Sequence, residues 1–224
     1  MYKAAVYCGT RNVYHKMVTA AKSLTWHTKV DKIYFIIEDK HFPEELPDFV
    51  ECINASGQKW FPSDNANKND HRTWMNLIRL ALPKILAEDV VLSLDNDTIV
   101  VDDISELWEI PLGDNYFAGV REPAKSGSFP YINTGVSLHN LKLLREGMCD
   151  RLIGIANMRR FACPIQDSII SLCLGRIRTI DGRYNVCNYT EGSNEPAKVL
   201  HFAAEPNYEQ YPIWQMYAQS DWRT

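Results

Sequence analysis

Apolar residues recur along this chain in two rhythms, and their alternation predicts its architecture. Short, largely apolar runs at Ala4–Cys8, 33–37, 49–53 and 90–94 have the length and composition of buried strands. Between the first two runs, Val13, Met17, Ala20, Ala21 and Leu24 recur at helical spacing, so a helix over 13–26 follows the turn Gly9-Thr10-Arg11-Asn12. Strand, helix and strand in that order open a mixed, mostly parallel α/β sheet with a Rossmann-like N-terminal half. Residues 58–70 are rich in Asn, Asp, Lys and Ser and read as a surface loop, of a length that is uncommon without a function. Trp74, Leu77, Ile78, Ala81, Leu82 and Ile85 then share one face of a predicted helix over 71–86, which Pro83 must end or kink.

The second half carries a helical turn over 104–108, a strand over 116–120, a flexible connection over 122–130 and extended chain over 131–138. Helices are expected over 141–145, 149–158 and 166–174, a strand over 199–203, and an aromatic tail broken by proline. No repeat and no break in composition divides the chain, so 1–224 reads as one domain, alone or within a longer polypeptide.

Composition narrows the function. The 224 residues suffice for one substantial core, and a net charge of -4 without a basic cluster argues against nucleic acid as a partner. The N-terminal apolar run is too short for a signal peptide and no stretch approaches a membrane span, so the expected location is the cytoplasm. The six cysteines form no Cys-x-x-Cys pair and read as buried free thiols.

The chemistry concentrates where the run 90–94 stops at Asp95-Asn96-Asp97 and apolar residues resume. Open α/β sheets bind ligands at the C-terminal ends of their strands. Two carboxylates held that close repel each other unless a cation lies between them, and such an ion would in turn bind phosphate. Asp-Asn-Asp is also good turn chemistry. Placement at the end of a buried strand, with a second apolar run directly after it, favours the metal.

Several segments, in this order, resemble the retaining nucleotide-sugar glycosyltransferases of the glycogenin and lipopolysaccharide galactosyltransferase type, family 8 enzymes on the GT-A fold. They are Ala20-Ala21-Lys22-Ser23-Leu24, Arg79-Leu80-Ala81-Leu82-Pro83, 92–100 around the acidic pair, Tyr131-Ile132-Asn133-Thr134-Gly135-Val136, Gln166-Asp167-Ser168-Ile169 and His201-Phe202-Ala203-Ala204. The resemblance implies a hexose moved from a UDP-sugar, UDP-glucose or UDP-galactose, to a hydroxyl of a glycan acceptor. It also implies Asp95, Asp97 and His201 as ligands of Mn2+, with Mg2+ a possible substitute; an imidazole among carboxylates suits manganese better than magnesium or calcium. By the same resemblance Gly9, Thr10, Asn12 and Asn96 hold the nucleoside. Arg79, Asn133 and Thr134 hold the donor phosphate and sugar, and Gln166 with Asp167 forms the catalytic end.

The chain departs from that family at Ile165, where an aspartate is usual, after His201, where no lysine follows, and at Val13, where an aromatic commonly stacks on the base. A binding module without turnover is the second reading of the same residues. A sugar-phosphate nucleotidyltransferase is the third, and Gly9-Thr10-Arg11-Asn12 makes a poor version of its glycine-rich phosphate loop.

Overall fold

The computed structural model of the protein describes residues 2–68, 73–127 and 129–223. In chain order the strands are β1 (Ala4–Cys8), β2 (Lys32–Ile37), β3 (Val50–Asn54), β4 (Val90–Leu94), β5 (Thr98–Val100), β6 (Phe117–Arg121), β7 (Ile132–Asn140), β8 (Ile177–Ile180) and β9 (Val199–His201). Seven of them form one sheet in the order β3-β2-β1-β4-β7-β6-β8, and β5 pairs with β9 in a small second sheet. Within the large sheet β7 runs antiparallel to β4 and β6, and every other pairing is parallel, giving the mixed, mostly parallel sheet that the sequence predicts.

The helices are α1 (Tyr14–His27), α2 (Leu82–Ile85), α3 (Leu141–Leu144), α4 (Met148–Met158), α5 (Pro164–Cys173) and α6 (Pro212–Ala218). Met17, Ala20, Ala21 and Leu24 seat α1 on one face of the sheet against Phe35, Leu92 and Val136. The opposite face is covered by the segment Trp74–Ala81 and by α4 and α5, whose Leu152, Ala156 and Ile169 meet Val6, Ile36 and Val91. Strands buried on both faces carry unbroken apolar runs, which is why β1, β2 and β4 are readable from the sequence.

Several expectations change. The helix expected over 71–86 is a 3-10 helix at Trp74–Ala81 followed by the short α2, and His71 and Arg72 lie outside the described residues. Pro83 stands in the first turn of α2, where a missing N–H costs no hydrogen bond, so it starts a helix where the sequence suggested an end or a kink. Pro212 does the same for α6 within the tail. Trp214 and Tyr217 of that helix pack with Ile99 and Phe202 in a small core of their own. The edge strand β8 was not expected, because Arg178 and Thr179 interrupt its apolar pattern.

Loop 58–70 lacks regular structure through residue 68, with Asn69 and Asp70 outside the described residues. It is nonetheless tied down: Asn67 Nδ2 donates to Ala156 O at 2.6 Å and Arg159 O at 2.8 Å, capping the end of α4. The connection 122–130 is likewise built, with a 3-10 turn at Pro123–Lys125 and Ser126 Oγ bonded to Glu122 O at 3.0 Å. All six cysteines are free, Cys149 and Cys173 buried and the other four half-buried.

Phe35 is fully buried in β2, edge-on to Tyr7 at 5.9 Å between ring centroids and 5.3 Å from Phe42. Phe35→Ala is expected to lower stability by about 3–5 kcal/mol in urea unfolding; a loss below about 1 kcal/mol would show that the α1 face is not the packed core described.

Candidate active site

From β1 the chain winds outward through β2 and β3, whereas from β4 it winds the other way into β7, β6 and β8. The direction therefore switches between β1 and β4, and the chain leaving both C-terminal ends parts to open a crevice. Cys8, Gly9, Thr10, Asn12 and Val13 line one side of this cleft of about 300 Å³, Leu94, Asp95, Asn96 and Asp97 the other, and Met75, Asn76 and Arg79 a third. The Thr10 hydroxyl donates to Asn12 Oδ1, so the turn after β1 is held in shape at the cleft edge. Burial pushes the Cys8 thiol up to about 12, which makes it wall and not nucleophile at neutral pH.

Antiparallel pairing of β5 with β9 sets Thr98 opposite His201, and Phe202 N–H donates to Asp97 O at 2.9 Å. His201, about a hundred residues from the acidic pair in sequence, is thereby brought beneath it. Its Nε2 lies 3.3 Å from Asp97 Oδ1 and 3.7 Å from Asp95 Oδ2. One ligand atom from each of Asp95, Asp97 and His201 falls within 4.8 Å of the others, close enough to share one ion. His201 Nδ1 meets Asn185 Oδ1 at 2.8 Å; an amide oxygen only accepts, so Nδ1 carries the proton and Nε2 is the atom turned to the carboxylates. Gly135 makes room for this ring, since a Cβ there would stand 2.1 Å from His201 Cε1.

Asp97 Oδ1 is buried and has no hydrogen-bond partner among the described residues. A carboxylate oxygen without a partner is costly unless something positive reaches it, and that orphan, with an imidazole nitrogen facing it, fits a divalent cation. Burial raises the Asp95 carboxyl against the lowering pull of Arg79, whose guanidinium lies at 2.7 Å, whereas at Asp97 burial is outweighed by the combined pull of His201, its own backbone and Arg79, which lowers it. Burial disfavours the His201 imidazolium, but the nearby Asp97 and Cys187 side chains and the two carboxylate charges lift it to about 10.

A second cleft of about 150 Å³ adjoins the first and shares Asn76, Arg79 and Asp95 with it. Thr134, Cys163, Pro164, Ile165 and Gln166 complete its wall. Arg79 bridges its two sides, donating to Thr134 O at 3.0 Å as well as to Asp95. Asn133, Asp167 and His201 are absent from both linings. Asn133 is turned inward, its Oδ1 accepting from Gly135 N and Asn185 Nδ2, each at 2.9 Å. Asp167 uses one oxygen on the Tyr131 hydroxyl at 2.6 Å and the other on Cys163 N–H at 2.8 Å, closing the first turn of α5.

Sequence reasoning missed Asn76, Asn185 and Glu122. Asn185 is fully buried, and a lone asparagine in a polar stretch carries no signal of that. Glu122 precedes a proline and reads as loop, yet its side chain is 4% exposed.

An open, mostly parallel α/β sheet with a carboxylate–histidine cluster at its switch point is the arrangement of the GT-A fold class. The chain belongs to glycosyl transferase family 8, whose profile it matches over residues 5–207. It is 33% identical over 150 residues, 62% of its length, to the glycosyltransferase GlyE of Streptococcus pneumoniae serotype 4 (strain ATCC BAA-334 / TIGR4), and covers 36% of that protein. Against GlyD of the same strain the identity is 28% over 161 residues, 68% of this chain and 19% of that one. The chain thus spans about a third or less of the length of the curated relatives it matches. Its fold is similar to that of the galactosyltransferase LgtC, solved in complex with donor and acceptor sugar analogs, with a TM-score of 0.75 at 20% identity over 96% of this chain and 95% of that one. The structure of GlyE gives 0.74 at 22% identity, over 99% of this chain and 61% of that one. The expected family and fold class both hold. No helix among the described residues is long and apolar enough to cross a membrane.

An ion entering this cluster must displace the His201 proton below about pH 10. Affinity for Mn2+ is therefore expected to climb with pH up to about 10, by up to about tenfold per unit. Calorimetric titration at pH 7 in two buffers of different ionisation enthalpy should show one proton released per ion. Heats independent of the buffer would contradict the assignment of His201 as a ligand.

Proposed function

We propose that this chain transfers a hexosyl group from a UDP-sugar, UDP-glucose or UDP-galactose, to a hydroxyl of a glycan, with retention and with Mn2+ as the preferred ion and Mg2+ as a substitute. The observation that carries this reading is the buried Asp97 oxygen, without a hydrogen bond, that faces His201 and Asp95 beside a cleft of about 300 Å³. Family membership and the donor and acceptor analogs bound by the similar fold of LgtC support it. Residues 1–224 act in it as one catalytic domain.

The proposed division of labour follows the two clefts. Gly9, Thr10, Asn12 and Asn96 hold the nucleoside in the larger one. Asp95, Asp97 and His201 form the metal site, and a divalent cation bound there supplies Lewis-acid stabilisation of the departing diphosphate. Arg79 stands where the clefts join and is placed to pair with a phosphate oxygen, its guanidinium already oriented by Asp95 and Thr134 O. Thr134 bonds the sugar in the smaller cleft, and Asn133 supports that strand from beneath through Gly135 and Asn185.

Gln166 sits on the sugar side of the smaller cleft, where positive charge grows on the anomeric carbon as the bond to phosphate breaks. An amide is a weak nucleophile, so its contribution is charge stabilisation while the acceptor hydroxyl attacks the face the diphosphate leaves. Asp167 assists by holding Tyr131 and the start of α5 in place.

With UDP-glucose or UDP-galactose and Mn2+, slow donor hydrolysis or transfer is expected from the purified chain. Asp97→Asn preserves shape and removes the charge, and turnover should fall by roughly a hundredfold or more. Undiminished turnover in that variant would reject the metal site.

A further inference from the structure

We propose that Glu122 is a positioning residue that decides which end of the Gln166 amide faces the sugar. The proposal rests on the reading of Gln166 as the group beside the anomeric carbon. Glu122 stands just after β6, buried although the neighbouring turn at Pro123–Lys125 contains no buried residue. A buried carboxylate is costly unless its partners are well placed. Here both oxygens are used: Oε1 accepts from Lys125 Nζ at 2.7 Å, and Oε2 from Gln166 Nε2 at 3.0 Å and Asn133 Nδ2 at 3.4 Å.

A carboxylate has no proton to give, so the amide beside it must present its NH2 group. That acceptor claims the nitrogen of Gln166, and the carbonyl oxygen is the end left for the cleft shared with Arg79, Asp95 and Thr134.

That orientation has a chemical consequence. The negative end of the amide dipole lies toward a carbon that becomes positive, and it is set before the substrate arrives, so no reorganisation is needed as charge develops. The flipped amide would direct two N–H groups at the same carbon and oppose the reaction. Lys125 completes the arrangement by pairing with the far oxygen of Glu122, which holds the carboxylate in register with Gln166.

The test combines spectroscopy with kinetics. In the side-chain region of a 1H–15N spectrum, the Gln166 NH2 pair is identified by its loss in Gln166→Ala. It is expected to shift in Glu122→Gln while the rest of the folded spectrum persists. In the same variant kcat for the UDP-sugar should fall about tenfold or more, with donor KM within about twofold. In a Gln166→Ala background the same substitution should cost nothing further, because Glu122 acts through Gln166. A Gln166 resonance unmoved by Glu122→Gln, or an equal loss of kcat in both backgrounds, would overturn the proposal. If Glu122→Gln does not fold, Lys125→Ala releases the far oxygen of Glu122 and should move the same resonance; an unmoved one overturns the proposal equally. A resonance that responds to Glu122 in a protein without turnover of any sugar nucleotide would uphold the amide orientation and overturn the proposed function.

Discussion

Two like charges meet at the end of β4, and the surroundings of Asp95 and Asp97 are organised around their repulsion. At an effective dielectric of about 20, unit charges about 4 Å apart interact with about 4 kcal/mol, too much for a protein of ordinary stability to leave uncompensated. Arg79 meets Asp95 from one side and His201 approaches both carboxylates from below. Asp97 Oδ1 faces His201 Nε2 at 3.3 Å without forming a hydrogen bond. Space for the histidine exists only because position 135 is glycine.

From His201 beside that pair a continuous hydrogen-bonded path runs to Gln166 in the smaller cleft. His201 bonds Asn185, Asn185 bonds Asn133, Asn133 bonds Glu122, and Glu122 bonds Gln166. The members come from β9, β7, the end of β6, the start of α5 and the loop before β9, so the sheet and its helix hold both ends of the site in one frame. Buried polar networks of this kind are favourable only when nearly every member is satisfied. Asn133 illustrates the economy: its carbonyl oxygen takes two N–H groups and its NH2 reaches Glu122.

What could be read from the sequence follows from how each feature is encoded. β1, β2 and β4 are buried on both faces and announce themselves as apolar runs, and the cleft follows from their order. Asp95 and Asp97 were legible because charge interrupts such a run. His201 was legible only through resemblance, since nothing in the residues around it reveals the β5–β9 pairing that carries it there. Glu122 and Asn185 were invisible, because polar residues in irregular chain look alike whether they face water or a buried partner. Pro83 and Pro212 misled for a local reason: proline breaks a helix in its interior and begins one in its first turn, and the sequence alone does not say which turn is meant.

The claim on which this account turns is that Asp95, Asp97 and His201 hold one divalent cation against the diphosphate of a nucleotide. Crystals grown with Mn2+ and UDP, measured at the manganese absorption edge, test it directly. A single anomalous peak is expected within about 2.0–2.3 Å of oxygens of both aspartates and of His201 Nε2, with the diphosphate as a further ligand. A peak elsewhere, or UDP bound in the cleft with no ion at the three residues, would contradict it.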